Sequence, residues 1–130
     1  MYKIEKKDYG FKLTFADMIH SDEMKKWVGE VKTNVATAPS KFGVFVDMRT
    51  LKPLPSDAQQ LLEDGQKLFK EKGMEKSVVI LNSTVIKMQF MRLAKDTGIY
   101  QWERYVDASK ESNWEQVGIN WISKGIDPDK

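Results

Sequence analysis

The sequence predicts an α/β fold with a mixed β-sheet and four helices, in the order β-β-α-β-α-β-α-β-α. Three features predict it: alternating apolar residues near the N-terminus, short continuous apolar runs further on, and helical apolar stripes between those runs. Strands that are buried on both faces and separated by helices pair in parallel through right-handed crossovers. An opening hairpin adds an antiparallel edge to this sheet.

The hairpin is predicted from residues 2–6 and 11–15, which flank Asp8-Tyr9-Gly10. The second segment alternates apolar and polar side chains, the period of a half-buried strand, and Gly10 suits a tight reversal. Residues 43–46 and 78–81 are continuously apolar, which indicates strands buried on both faces. Tyr105-Val106 indicates the last strand.

The four helices are predicted from apolar residues spaced three and four apart. The first begins with Ser21 as its N-cap, and the second begins at Ser56, whose pairing with Gln59 fits a capping box. The second helix ends at Gly73. The third covers about residues 84–96, and the fourth follows another capping box at residues 112–115.

Composition indicates one globular domain over residues 1–130, with 41% apolar and 31% charged residues. The net charge of +2 is dispersed along the chain, so we expect no nucleic-acid partner. The chain has no cysteine and no apolar run long enough to span a bilayer. Residues 1–8 lack the apolar core of a signal peptide. We therefore expect a cytoplasmic protein without disulfides and without a membrane span.

Catalytic chemistry finds little support in the sequence. The single histidine, His20, cannot build a typical zinc site or triad without cysteine or a second histidine, so we expect no metal. No glycine-rich phosphate loop is present, and we expect no cofactor. Response-regulator receiver domains carry an Asp, a Ser or Thr, and a Lys near the ends of their strands, and comparable positions here hold Asp47, Ser83 or Thr84, and Lys110. Those domains also need an acidic pair after the first strand to hold magnesium, and here the first strand enters a hairpin instead. We expect Asp47 to pair with Arg49 or to cap a turn.

Three carboxylates near the C-terminus invite an acid/base reading. Glu103, Asp107 and Glu115 could act as a pair in catalysis if two of them met in a pocket. Nothing in the sequence brings them together, and the chain has 19 acidic residues. We therefore expect a binding protein and no enzyme.

Three stretches carry a resemblance to a known family. They are Phe45-Val46-Asp47-Met48-Arg49 leading into the Ser56 helix, residues 88–95, and residues 103–109 with Trp114-Glu115 and Asn120-Trp121-Ile122. In this pattern the chain resembles the SpoIIAA-like proteins of the STAS group, some of which are labelled STAS/SEC14-like. The resemblance covers nearly the whole chain and implies a STAS-like fold. It also implies a regulatory role through protein contacts, as in anti-sigma-factor antagonists, or binding of a small apolar or lipid-like ligand.

The phosphorylation switch of that family does not transfer to this chain. STAS antagonists open the second helix with Asp-Ser-Ser-Gly and are phosphorylated on the second serine. The matching positions here are Pro55, Ser56, Asp57 and Ala58, so the acceptor position is Asp57. An aspartate is no substrate for a serine kinase, and Ser56 is explained as a helix cap.

Two candidate binding regions follow. In the third helix, Val85, Met88 and Met91 point away from the sheet-facing stripe, with Arg92 beside them. They form either an exposed ridge or a surface that a neighbouring helix covers. Trp102 is expected to line a pocket or an interface.

The second region is the loop over residues 48–57, with Asp47, Arg49, Ser56 and Asp57 as its candidate residues. The first hypothesis is recognition of a protein partner through the third helix and this loop, with self-association as a homodimer included. The alternative is a small apolar ligand, which a deep apolar cavity would favour.

Overall fold

A computed structural model describes residues 1–130 and confirms the α/β fold class and the element order. The layout is the STAS-like one that the sequence predicts, a five-stranded mixed sheet with four helices. The strands are β1 (Tyr2–Lys7), β2 (Gly10–Asp17), β3 (Phe42–Leu51), β4 (Met74–Leu81) and β5 (Glu103–Asp107). The helices are α1 (Ser21–Val35), α2 (Ser56–Lys72), α3 (Thr84–Thr97) and α4 (Trp114–Lys124), and a short 3₁₀ turn covers Tyr100–Trp102.

The strands lie in sequence order, β1-β2-β3-β4-β5. The pair β1–β2 is antiparallel and the other three pairs are parallel. Because the order never reverses, the sheet lacks the switch point at which doubly wound folds open a ligand crevice. The strand order itself therefore indicates no ligand crevice.

Two apolar cores sit on opposite faces of the sheet. The larger one packs the inner stripes of α1, α2 and α3 against strand residues such as Leu13, Val44 and Val79. The smaller one packs α4 against Phe45 and its neighbours on β4 and β5. Alternation along the strands sends successive side chains into different cores. The continuous apolar runs therefore reflect burial on both faces, as the sequence predicts.

Glycine permits two close approaches in this packing. Gly10 has φ +141°, and a side chain there would meet the Gly43 carbonyl oxygen at 2.2 Å. Gly65 of α2 receives the Trp27 ring of α1, where a Cβ atom would lie 2.1 Å from the indole. The β2–β3 pairing and the α1–α2 contact thus both depend on an absent side chain.

Three predicted N-cap positions are wrong by one residue, although α1 and α2 begin at Ser21 and Ser56 as predicted. Ser21 and Ser56 are the first residues of their helices, so the N-cap positions belong to His20 and Pro55. The helix α4 begins at Trp114 after Asn113, and no side chain caps it. For α2 the reason is visible: the Pro55 carbonyl accepts the first helical bond from the Gln59 N–H at 2.9 Å. The Gln59 side chain reaches back to the Leu54 carbonyl at 2.8 Å instead of closing a capping box.

The helix ends agree better with the sequence. Gly73 and Gly98 take left-handed conformations directly after α2 and α3, and the end of α2 at Gly73 is the one that the sequence predicts. None of the helices is long and apolar enough to cross a bilayer.

Candidate functional site

Helix α3 is held firmly on the sheet by its inner face. Ile86, Phe90 and Leu93 are almost fully buried in the larger core. At the helix start the Ser83 hydroxyl accepts a hydrogen bond from the Ile86 N–H at 3.3 Å, which satisfies one of the free amides of the first turn. The inner face therefore fixes which side chains the helix presents outward.

The outer face of α3 exposes apolar side chains. Val85 is 62% exposed and Met88 67% exposed, while Met91 is half-buried. Together with Arg92 and Lys95 these residues define what we call the α3 surface. A shallow concavity of about 240 Å³ lies among its last four members. The outward direction expected from the helical spacing is thus observed, most clearly at Val85 and Met88.

The loop before α2 is fastened to α3 by a single side chain. Gln89 accepts a hydrogen bond from the Leu54 N–H at 3.0 Å and donates one to the Leu54 carbonyl at 3.1 Å. The same carbonyl also accepts from the Gln59 side chain. Leu54 itself is buried in the larger core. The loop is therefore attached to α3 by side-chain hydrogen bonds and by the burial of Leu54.

This loop is shorter than the sequence suggests. Strand β3 continues to Leu51, so only residues 52–55 form the connection. The extension arises because Thr50 and Leu51 pair with the end of β2 after a register shift, and Met48 and Leu51 are buried in the larger core. Long-range pairing of this kind leaves no local pattern.

Further polar contacts join α2 to α3 at the protein surface. The Arg92 guanidinium donates a hydrogen bond to the Gln59 side chain. One turn further, burial and a hydrogen bond to Asp96 raise the pKa of Glu63. These contacts order the polar edge of the α3 surface, where Arg92 and Lys95 are exposed.

Asp47 and Arg49 lie on the other face of the sheet. The Arg49 guanidinium donates two hydrogen bonds of 3.0 Å to the Asp47 carboxylate, which confirms the predicted pairing. Its carbon Cζ stacks 4.1 Å from the centre of the Trp114 ring of α4. The side chains of the intervening Met48 and of Val46 enter the larger core. The second candidate region of the sequence is therefore divided between the two faces of the sheet: Asp47 and Arg49 lie with α4.

Ser56 and Asp57 remain on the same side as α3. Both are exposed in the first turn of α2, directly after the loop that Gln89 holds. Ser56 makes no capping hydrogen bond, so its predicted role as a cap is wrong. Asp57 accepts a hydrogen bond from the Ala58 N–H at 2.9 Å.

Trp102 packs against the core of the protein. It is half-buried against the larger core, and its indole nitrogen is buried without a protein acceptor. It lines neither the concavity on the α3 surface nor the interior cavity described below. The pocket-lining role expected for Trp102 is therefore not observed.

The three carboxylates are separated. Glu103 begins β5 and is buried, whereas Asp107 ends the same strand and binds the Ser109 N–H and hydroxyl. Four residues of extended strand place them about 13 Å apart. Glu115 is exposed on α4. The structure therefore brings no two of these carboxylates into a common pocket.

The larger core encloses a small cavity. Its volume is about 30 Å³, and twelve of its fifteen lining residues are hydrophobic. The polar members are Gln66, Ser77 and Glu103. Burial raises the pKa of Glu103 to about 7, although hydrogen bonds from Tyr105 and Ser77 act in the opposite direction. Ligand pockets typically measure roughly 300–1,000 Å³, so this cavity is about ten times smaller.

Sequence reasoning missed Gln89 as a site residue. Its partner, Leu54, lies 35 residues away, and only tertiary structure brings the two together. The one available signal in the sequence was that Gln89, a polar residue, lies at the border of the apolar stripe of the third helix.

Comparison with known proteins identifies no family for this chain. No protein-family model and no curated protein matches the chain. The resemblance to SpoIIAA-like proteins accordingly stays a prediction.

Proposed function

We propose that this protein is a non-enzymatic binding module that contacts a protein partner through the α3 surface and the adjoining residues 52–57. The observation that carries the proposal is the pair Val85 and Met88, which are 62% and 67% exposed one helical turn apart. Small soluble proteins seldom leave neighbouring apolar side chains uncovered on a rigid element without a use. Methionine adds flexibility that suits a contact surface.

The rigidity of the surface supports this proposal. Gln89 fixes the loop to α3 through two hydrogen bonds, and the inner face of α3 is buried. A preorganised surface loses little conformational entropy when a partner binds.

The charges around the apolar pair indicate the chemistry of the partner. Lys87, Arg92 and Lys95 are all exposed on α3, and Lys95 also lies over the Tyr100 ring at 4.8 Å. A partner that offers apolar side chains flanked by acidic ones matches this arrangement. The family resemblance agrees with a regulatory role of this kind in the cytoplasm. Phosphorylation would not control it as in STAS antagonists, because Asp57 occupies the position of the phosphorylated serine.

The alternative is a small apolar ligand in the core cavity. Its apolar lining favours such a ligand, but a volume of about 30 Å³ is far below the roughly 300 Å³ of a typical site. Protein binding therefore has the stronger support.

Native mass spectrometry of the tagged chain isolated from its host tests both functions. Val85→Glu with Met88→Glu places charge at two exposed positions and leaves the buried face of α3 intact. Met18→Glu is a matched control, since Met18 is 56% exposed in the loop before α1. We expect wild type and the control to carry an associated protein, either a second copy or another chain, which the double variant loses. An adduct of small-molecule mass, or a bound protein that all three chains retain, would contradict the proposal.

A further inference from the structure

The sulfur groups of this chain differ sharply in their exposure to solvent. The chain contains seven methionines and no cysteine, so methionine thioethers are its only sulfur groups. Met24, Met48 and Met74 are buried in the larger core. Met88 is 67% exposed, the highest fraction among the exposed large hydrophobic side chains. Met88 is therefore the thioether that a dissolved reagent reaches most readily.

A second thioether and two cations lie beside Met88. The shallow concavity of about 240 Å³ on the α3 surface is lined by Met88, Met91, Arg92 and Lys95. The side chains of arginine and lysine carry several N–H donors and no acceptor. A hydrogen-bond acceptor that forms at either sulfur therefore has donors in the same concavity while the surface faces water.

Peroxides create such an acceptor from a thioether. A lone pair of the sulfur attacks one oxygen of the peroxide, the O–O bond breaks, and a sulfur–oxygen bond forms. With hydrogen peroxide the sulfur is oxidised by two electrons, the peroxide is reduced, and its second oxygen leaves as water. The methionine sulfoxide that results is polar, whereas the thioether is apolar, and this change disrupts contact surfaces that contain methionine.

We propose that Met88 is an oxidation site, at which a peroxide converts the α3 surface into a form that no longer binds its protein partner. The proposal rests on the proposed function, since the partner is the one assigned to this surface. In the free protein the sulfoxide oxygen accepts hydrogen bonds from water and from the cations Arg92 and Lys95. Beneath the apolar side chains of a partner the same oxygen is buried without those donors, which is unfavourable. Oxidation therefore favours the free protein over the complex. Met91, which is half-buried, is the second sulfur of the site.

Peptide mapping by mass spectrometry after a time course with hydrogen peroxide tests the reactivity of the site. We expect Met88 to be oxidised well before Met24, Met48 and Met74. The circular dichroism spectrum should not change, because the inner face of α3 does not include Met88. Oxidation of Met88 as slow as that of the buried methionines, or loss of the fold when Met88 is oxidised, would overturn the proposal.

Native mass spectrometry of the tagged chain isolated from its host tests the consequence for binding. Met88→Leu with Met91→Leu keeps both positions apolar and removes both sulfurs. Met18→Leu is the matched control, because Met18 is 56% exposed and lies outside the α3 surface. We expect peroxide to lower the fraction of wild type and of the control that carries an associated protein by about tenfold, and to leave the double variant unchanged. Methionine sulfoxide reductases with a thiol should restore binding. Met88→Leu alone replaces the double variant if that variant is unstable.

Failure of the oxidation site and failure of the proposed function give different results. An associated protein that wild type carries equally before and after peroxide overturns the oxidation site and leaves the proposed function standing. An equal loss from wild type and the leucine variant also overturns the site, because the oxidised group then lies on the partner or elsewhere in this chain. An untreated wild type that carries no associated protein overturns the proposed function and the oxidation site together.

Discussion

At the scale of single residues, the least expected feature is a carboxyl group inside an apolar core. Glu103 opens an edge strand, pairs with Ser77 and Tyr105, and has no cation beside it. Desolvation disfavours its charged form, which is why its pKa rises to about 7. The group therefore binds a proton more tightly in the folded state than in the unfolded chain.

This shift predicts how stability depends on pH. Between the ordinary pKa of 4.5 and about 7, the folded state keeps its proton while the unfolded chain loses it, so the free energy of unfolding falls as pH rises. The loss from this group is on the order of 3 kcal/mol and is complete above neutral pH. Urea unfolding at pH 5 and pH 8 measures it. Glu103→Gln keeps the size of the side chain but cannot ionise, so the variant should lose markedly less stability between the two pH values. An equal loss in both proteins would show that Glu103 does not titrate in this window.

A second residue-scale prediction compares two serines at helix starts. Ser83 caps α3 through a hydrogen bond from the Ile86 N–H, whereas Ser56 is the first residue of α2 and caps nothing. We expect Ser83→Ala to lower the free energy of unfolding by about 1 kcal/mol. Ser56→Ala should change it by less than about 0.5 kcal/mol, as is usual for exposed positions. Chemical denaturation of both variants decides this, and a reversed order of the two effects would refute the assigned caps.

At the scale of elements, one junction organises the candidate site. Helix α3 and the loop before α2 meet at Gln89, whose amide pairs with both backbone groups of Leu54. The junction turns two neighbouring segments into one surface. The other element expected to contribute, the end of β3, instead turns Asp47 and Arg49 towards α4.

The junction can be tested by removing the Gln89 amide. Gln89→Leu leaves the Leu54 N–H without its partner, and an unsatisfied, partly buried donor costs about 1–3 kcal/mol. We expect the Leu54 amide to exchange with deuterium faster in the variant, as measured by NMR. Gln116→Leu is the control, since Gln116 is exposed on α4 and its side chain donates a hydrogen bond to Asn120, on the same helix. Unchanged protection of Leu54 in Gln89→Leu would mean that the loop is held by other contacts.

Helices and strands were predictable from the sequence where the spacing of apolar residues encodes them. The inner stripes of the helices, such as Ile86, Phe90 and Leu93, follow directly from helical spacing. The end of β3 was missed because its last residues pair with β2 across a register shift. The N-cap of α2 was assigned to the wrong residue because Pro55 occupies the position that was assigned to Ser56. The outward direction of the α3 surface was predictable, whereas its attachment to the loop depends on a contact between residues 54 and 89.

At the scale of the whole molecule, the arrangement of layers places the site. Three helices cover one face of the sheet and a single helix packs on the other, while the strand order provides no switch point. The interior holds only a cavity the size of one water molecule. The proposed function therefore assigns recognition to a solvent-facing helix, α3, and this assignment is its central claim.

Site-specific photo-crosslinking in the host cell tests that claim most directly. A photoreactive amino acid replaces Met88 in one chain and Met18 in another, because both side chains are more than half exposed. If the α3 surface is the binding surface, position 88 will form a discrete crosslinked protein product, a homodimer or a complex with another chain, and position 18 will not. Equal products from both positions, or none from position 88, would contradict the claim.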